Sequence, residues 1–185
     1  GASQTATFKG SQLTAETLSL TETVAGTSNL IINVGTGTTA TFTNMTASSS
    51  FTSGTDTITI NGTTGNETIT GPNIASTISG GTGNDTILGG TQADIISGGD
   101  GNDTLTGGDG TDSLTGGAGN DTLDSGAGNA EVYGGEGDDT IIQSGSGTQY
   151  YNGGKGVDTY ILDLENWDLP EDLIVEVNFE TNFSG

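Results

Sequence analysis

The sequence predicts an all-β fold, a parallel β-roll (a β-solenoid) in which two nine-residue repeats make one coil, with irregular rungs before it and a C-terminal cap after it. Three observations predict it: a period of nine through the middle of the chain, a glycine-rich and apolar-poor composition, and one apolar side chain at a fixed place in each repeat.

Cut from Gly62, the chain reads GTTGNETIT, GPNIASTIS, GGTGNDTIL, GGTQADIIS, GGDGNDTLT, GGDGTDSLT, GGAGNDTLD, SGAGNAEVY and GGEGDDTII, contiguous through Ile142. Gln143 is then inserted, and the period resumes with SGSGTQYYN from Ser144 and GGKGVDTYI from Gly153. A weaker copy, FTSGTDTIT from Phe51, precedes an expected insertion of Ile60 and Asn61. Each unit is a six-residue glycine-rich turn followed by a three-residue strand whose middle residue is apolar, as at Ile69, Ile78, Ile87, Ile96, Leu105, Leu114, Leu123, Val132, Ile141, Tyr151 and Tyr160. One inward side chain buries too little to hold a strand alone. The units must therefore stack, in ladders about 4.8 Å apart, with alternate units on opposite edges.

Only 29% of the 185 residues are hydrophobic and 34 are glycine, which leaves too little apolar volume for a layered globule. A net charge of -22 with so few apolar residues is also the signature of an unfolded chain, so order has to come from outside the sequence. A cation would supply it. With only Lys9 and Lys155 against 24 acidic residues, nucleic acid and anionic lipid are poor partners. The absence of Cys and His removes disulfides, thiolate sites and the commonest zinc ligand, so a bound metal must take oxygen ligands. No apolar run approaches a membrane span, and Gly1, Ala2 and Ser3 read as a cloning remnant on an excised piece.

Residues 1–50 lack the nonapeptide but keep short β-prone runs, Leu18–Leu20, Leu30–Val34 and Ala40–Phe42, and read as irregular rungs capping the N-terminal end. Residues 51–161 form the roll itself. Residues 162–185, with Trp167, Pro170 and strand-like alternation, read as a segment folded over the last coil.

The units GGTGNDTIL and GGDGNDTLT fit the pattern G-G-x-G-x-D-x-U-x, and the chain thereby resembles the repeats-in-toxin (RTX) family of calcium-binding proteins. The resemblance is strong over residues 62–161, weak over 51–61 and slight elsewhere. It implies Ca²⁺ between successive turns of one edge, held by Asp carboxylates and backbone carbonyls. Mapped onto this chain, it implies Glu67, Asp85, Asp103, Asp121, Asp139 and Asp158 on one edge and Asp94 and Asp112 on the other. The turn residues Gly81, Gly83, Gly98, Gly99, Asp100, Gly101, Gly116, Gly117, Ala118, Gly119, Gly134 and Glu136 would join them through their main chain. The chemistry agrees, since Ca²⁺ takes six to eight hard oxygens and glycine turns free carbonyls to face a metal. Without a cation, carboxylates stacked about 5 Å apart repel by roughly 1 kcal/mol in water and by several times that near a protein surface.

The two edges differ. The first carries a carboxylate at every rung, which predicts about five ions in five gaps. The second reads FTSGTD, GPNIAS, GGTQAD, GGDGTD, SGAGNA and SGSGTQ, where Ser76, Ala130 and Gln149 interrupt the column and one or two ions are expected.

Asp in a glycine-rich turn can simply cap the local backbone, but a column of them has no such need. Phosphate binding would require a lysine and a following helix that are not in the pattern. The Asn-x-Thr triplets follow from the repeat itself, and Trp167, Tyr150, Tyr151 and Tyr160 read as packing of the terminal coil rather than a sugar site. No His and no departure from the repeat points to catalysis, so an enzyme is not expected. The resemblance implies a calcium-dependent folding module of a secreted or cell-surface protein, assisting type I secretion, joined to other domains of a parent polypeptide and monomeric as a piece. The alternative is a solenoid face that binds a surface, as adhesins or ice-binding rolls do. Its third position, Thr64, Thr82, Asp100, Ala118, Glu136 and Lys155, is irregular, and only the fifth reads as uniform, from Asn66 to Asn120.

Overall fold

The computed structural model describes residues 57–162 without a break, residues 30–37 and 39–42, and the backbone of 4–7, 19–20, 29 and 46–47. The strands, in chain order, are β1 (Gln4–Thr7), β2 (Ser19–Leu20), β3 (Asn29–Asn33), β4 (Thr39–Thr41), β5 (Thr46–Ala47), β6 (Thr57–Asn61), β7 (Thr68–Thr70) and β8 (Ser76–Thr82). They continue as β9 (Thr86–Gly90), β10 (Ile95–Asp100), β11 (Thr104–Ala118), β12 (Thr122–Asp124), β13 (Ala127–Glu136), β14 (Thr140–Gln143), β15 (Gln149–Lys155) and β16 (Thr159–Leu162). Every pairing is parallel, and the expected all-β roll is the fold observed.

Glycine turns force the chain to reverse every nine residues, so consecutive strands fall on opposite faces. One face stacks β3, β6, β8, β10, the second half of β11, β13 and β15; the other stacks β4, β7, β9, the first half of β11, β12, β14 and β16. The register steps by one coil, Ile78 to Ile96 to Leu114 to Val132 on the first face and Ile69 to Ile87 to Leu105 to Leu123 to Ile141 on the second. These side chains meet between the faces and are at most 1% exposed, so in these coils the core is one apolar residue wide per strand. Gln143 lengthens one coil, and beyond it Val132 pairs with Tyr151 and Ile141 with Tyr160. The two tyrosines pack against the end of the core.

Upstream, β3 and β4 extend the two faces in longer coils, with Ile32 against Ile60 and Ala40 against Ile69. Strands β2 and β5 pair with each other. The expected cap over 163–185, with Trp167, lies outside the described residues.

The structure corrects the register at the first repeat. Ile60, not Ile58, stands beside Ile78, and Ile58 stands beside Ser76. No insertion of Ile60 and Asn61 is needed, because the stacked unit counts back from Asn61 to Ser53. A slip of two residues preserves the alternation of faces, so the sequence pattern could not choose. The ladder chooses: Ile58 and Ile60 are both fully buried, and the pairing of β6 with β8 sets Ile60 beside Ile78. The second edge therefore begins with an apolar side chain where Asp56, itself outside the described residues, was expected.

Candidate metal centre

The turns on the first edge are held apart and aligned by their own acidic residues. The backbone N–H of Glu67 donates to Asp85 Oδ1 at 2.7 Å, that of Asp85 to Asp103 at 2.7 Å, that of Asp103 to Asp121 at 2.8 Å, that of Asp121 to Asp139 at 2.8 Å and that of Asp139 to Asp158 at 3.1 Å. The second edge repeats this only where it is acidic. Ser76 donates both its N–H and its hydroxyl to Asp94 Oδ1, each at 2.8 Å, and the N–H of Asp94 donates to Asp112 Oδ1 at 2.9 Å. A ladder of opposite polarity runs beside the first: Asn66, Asn84, Asn102 and Asn120 each accept on Oδ1 the N–H of the residue one coil later.

The other carboxylate oxygen is the informative one. Oδ2 of Asp85, Asp103, Asp121 and Asp139, and of Asp94 and Asp112 on the second edge, is buried with no hydrogen-bond partner. Such an oxygen is costly unless a cation or a proton meets it. Burial accordingly pushes the carboxyls of Asp85 and Asp94 up to about 6 and that of Asp121 up to about 7, against the pull of the N–H bonds. Asp103, Asp112 and Asp139 move in the same direction for the same reason.

A main-chain carbonyl of the next turn stands near each orphan. Asp85 Oδ2 and the Gly98 carbonyl of the next turn both crowd the place a Cβ on Gly80 would take. The same cradle recurs at Gly98 with Asp103 and the Gly116 carbonyl, at Gly116 with Asp121 and the Gly134 carbonyl, and at Gly134 with Asp139 and the Gly153 carbonyl. On the second edge Gly89 meets Asp94 and the Gly107 carbonyl, and Gly107 meets Asp112 and the Ser125 carbonyl. From the preceding turn the carbonyls of Gly81 and Gly83 press on Gly99 and Gly101, whose φ angles of 119° and 133° only glycine adopts readily. Gly117 and Gly119 repeat this one coil on. The carbonyls of Asp100, Ala118 and Glu136 accept the N–H groups of Gly83, Gly101 and Gly119 at 2.7, 2.7 and 2.8 Å, and so serve the stacking of turns. The Glu136 side chain pairs with Lys155.

Among the described residues no three acidic side chains gather at one point. One carboxylate stands at each rung, and a cation in a gap must take most of its oxygens from the main chain. Hard, mixed carboxylate and carbonyl oxygen fits Ca²⁺ rather than a metal that prefers nitrogen or sulfur.

Two of the sequence-derived residues are placed differently from the rest. Glu67 is buried, but its Oε1 accepts the N–H of Gly37 and its Oε2 that of Thr63, so neither oxygen is orphaned. Asp158 is half-buried at the end of the described coils.

Sequence reading also passed over a column. Thr68, Thr86, Thr104, Thr122, Thr140 and Thr159 stand in register at the seventh position, beside the Asn ladder, so the fifth position is not the only uniform one. The signal was present in the repeats; the third and fifth positions drew attention because they lie in the turn.

Comparison with known families matches residues 75–105, 97–131 and 106–141 to the RTX calcium-binding nonapeptide repeat, in a model of four copies. No curated protein and no solved structure matches the chain.

Proposed function

We propose, from the match of residues 75–141 to the RTX calcium-binding nonapeptide repeat, that the chain is a calcium-dependent folding module whose ions occupy the six gaps lined by an orphaned Asp oxygen. The row of buried, unpartnered Oδ2 atoms carries this reading. Four gaps follow Asp85, Asp103, Asp121 and Asp139 on the first edge, and two follow Asp94 and Asp112 on the second. When bound, Ca²⁺ supplies positive charge that offsets the burial of these carboxylates.

The rest follows from the chain's own residues. Without a cation the columns repel along their length, and the one-residue-wide core offers little to oppose them. A net charge of -22 keeps such a chain expanded where calcium is scarce. The roll then folds where calcium is abundant, which suits an extracellular or cell-surface protein exported unfolded through a type I channel. Residues 1–50 would cap the roll of 51–161 at one end and 162–185 at the other, with the parent protein's activity in domains beyond. Asp94 and Asp112 are engaged in the ladder, and no catalytic role is assigned to them.

A calcium titration followed by circular dichroism and Trp167 fluorescence tests this reading. The expected result is an unfolded chain in chelator, β-structure at millimolar Ca²⁺ and a much weaker response to Mg²⁺. Equal β-content with and without chelator would sink it.

A second reading, a face that binds a surface, gains support from the paired Asn and Thr columns. The Asn Oδ1 atoms are already committed between coils, and Asp138 and Val157 end the Asn column, so the regular face is short. Thermal hysteresis, or retention on a polysaccharide surface by the calcium-loaded chain, would favour it.

A further inference from the structure

The metal column has a built end at Glu67. In each regular turn the Asp reaches one oxygen forward, and that oxygen crowds the first glycine, as at Gly80, Gly98, Gly116, Gly134 and Gly153. At Gly62 the three nearest atoms belong instead to the main chain of Gly80 and Ser79. The longer Glu67 side chain has folded back. It spans from the Thr63 N–H of its own turn, at 3.2 Å, to the Gly37 N–H of the preceding rung, at 2.5 Å. Thr63 also replaces the second-position glycine that holds a positive φ in the later turns at Gly81, Gly99, Gly117 and Gly135.

We propose that Glu67, held back on Thr63 and Gly37, leaves the gap between its own turn and the turn of Asp85 without a carboxylate and so closed to metal, and that the calcium column starts at Asp85. The proposal rests on the calcium reading of the later gaps. Its chemistry is that of charge satisfaction. A buried carboxylate needs either a cation or charge-assisted N–H bonds, and Glu67 has two of the latter where each regular Asp has one and an orphan. Glu67 thereby ties the calcium-bearing coils, through Gly37, to upstream coils whose inward residues Ile32, Val34, Ala40 and Phe42 are apolar. Those coils can stack without metal, and one side chain marks the boundary.

The test counts ions bound by the full 185-residue chain, using calorimetric titration with Ca²⁺ and native mass spectrometry. Glu67→Gln keeps the length of the side chain and one good acceptor, and is expected to bind the same number of ions as the wild type. Thr63→Gly with Glu67→Asp restores the repeat pattern and is expected to bind one ion more. Asp85→Asn, as the control, is expected to bind fewer. Loss of one ion in Glu67→Gln, or no gain in the double variant, overturns the closure while leaving the calcium reading intact. Failure of the wild type to bind Ca²⁺, or an unchanged count in Asp85→Asn, overturns the calcium reading and the closure with it.

Discussion

Asp103 takes the backbone N–H of Asp85 on one carboxylate oxygen, at 2.7 Å, and buries the other oxygen without a partner. The two halves of this carboxylate do different things. The first aligns one turn on the next, and the second brings an uncompensated negative charge into the following gap. Stacking buries that second oxygen, so a cation or a proton that meets it would favour the stacked state.

Asp103→Asn separates the two roles. The amide oxygen still accepts the Asp85 N–H, and the amide nitrogen can face the Gly116 carbonyl that crowds the same cradle. The variant is expected to lose at least one bound Ca²⁺ by calorimetry, yet to be no less folded than the wild type in chelator by circular dichroism. Greater disorder in chelator would show that the charge aids stacking.

Gly116 and Gly117 test the cradle against the backbone. A Cβ at Gly116 meets Asp121 Oδ2 and the Gly134 carbonyl, and its φ is not one that glycine alone adopts; Gly117 has a φ of 124°. Gly117→Ala should destabilise the calcium-loaded roll by about 1–3 kcal/mol through backbone strain alone, on top of its clash with the Gly99 carbonyl. Gly116→Ala carries no such strain but also meets a backbone carbonyl, that of Gly134, and should in addition show itself in the metal count, losing the ion next to Asp121. A thermal melt in saturating Ca²⁺ and an ion count, done on both variants, distinguish them.

How far the sequence could be read depended on what its period determines. Nine-residue spacing with one apolar residue fixes which side chains point inward, and Ile69 to Ile141 and Glu67 to Asp158 fall into the columns expected of them. The period does not determine register where the pattern is itself two-fold. In TDTITIN both Ile58 and Ile60 are buried, and the choice between them rests on how β6 pairs with its neighbours in the ladder, which the repeat pattern does not carry. Nor does it determine what a carboxylate does once in its column. Glu67 and Asp85 look equivalent in sequence, and one extra methylene lets the first reach two N–H groups while the second keeps an orphan.

The two edges should respond unequally to loss of a sixth-position side chain. Asp121→Ala removes the acceptor of the Asp103 N–H and the orphan oxygen of the next gap, and should raise the Ca²⁺ midpoint for folding about tenfold, equivalent to about 1.4 kcal/mol. Gln149→Ala removes only a bond to the Gly128 carbonyl, and should shift the midpoint by no more than about twofold. Equal shifts in a circular dichroism titration would mean that the assigned columns are wrong.

Acid should substitute in part for calcium. In the metal-free roll the carboxyls of Asp85 and Asp94 lie at about 6 and that of Asp121 at about 7, all above the ordinary 3.8, because burial disfavours the charged form. A raised folded-state value means that the roll binds protons more tightly than the unfolded chain does. The stabilisation from these protons is therefore fully present below about 3.8, and is lost as pH rises through 6 to 7. In chelator, β-structure should be greater at pH 4 than at pH 8, where the orphans are ionised and unmet. With calcium present, proton and cation compete for the same oxygens, so the Ca²⁺ midpoint should rise as pH falls from 7.5 to 5.5. Circular dichroism against pH, in chelator and at fixed Ca²⁺, measures both. A metal-free chain equally disordered at pH 4 and pH 8 would show that burial of these carboxylates, rather than their charge, is what resists folding.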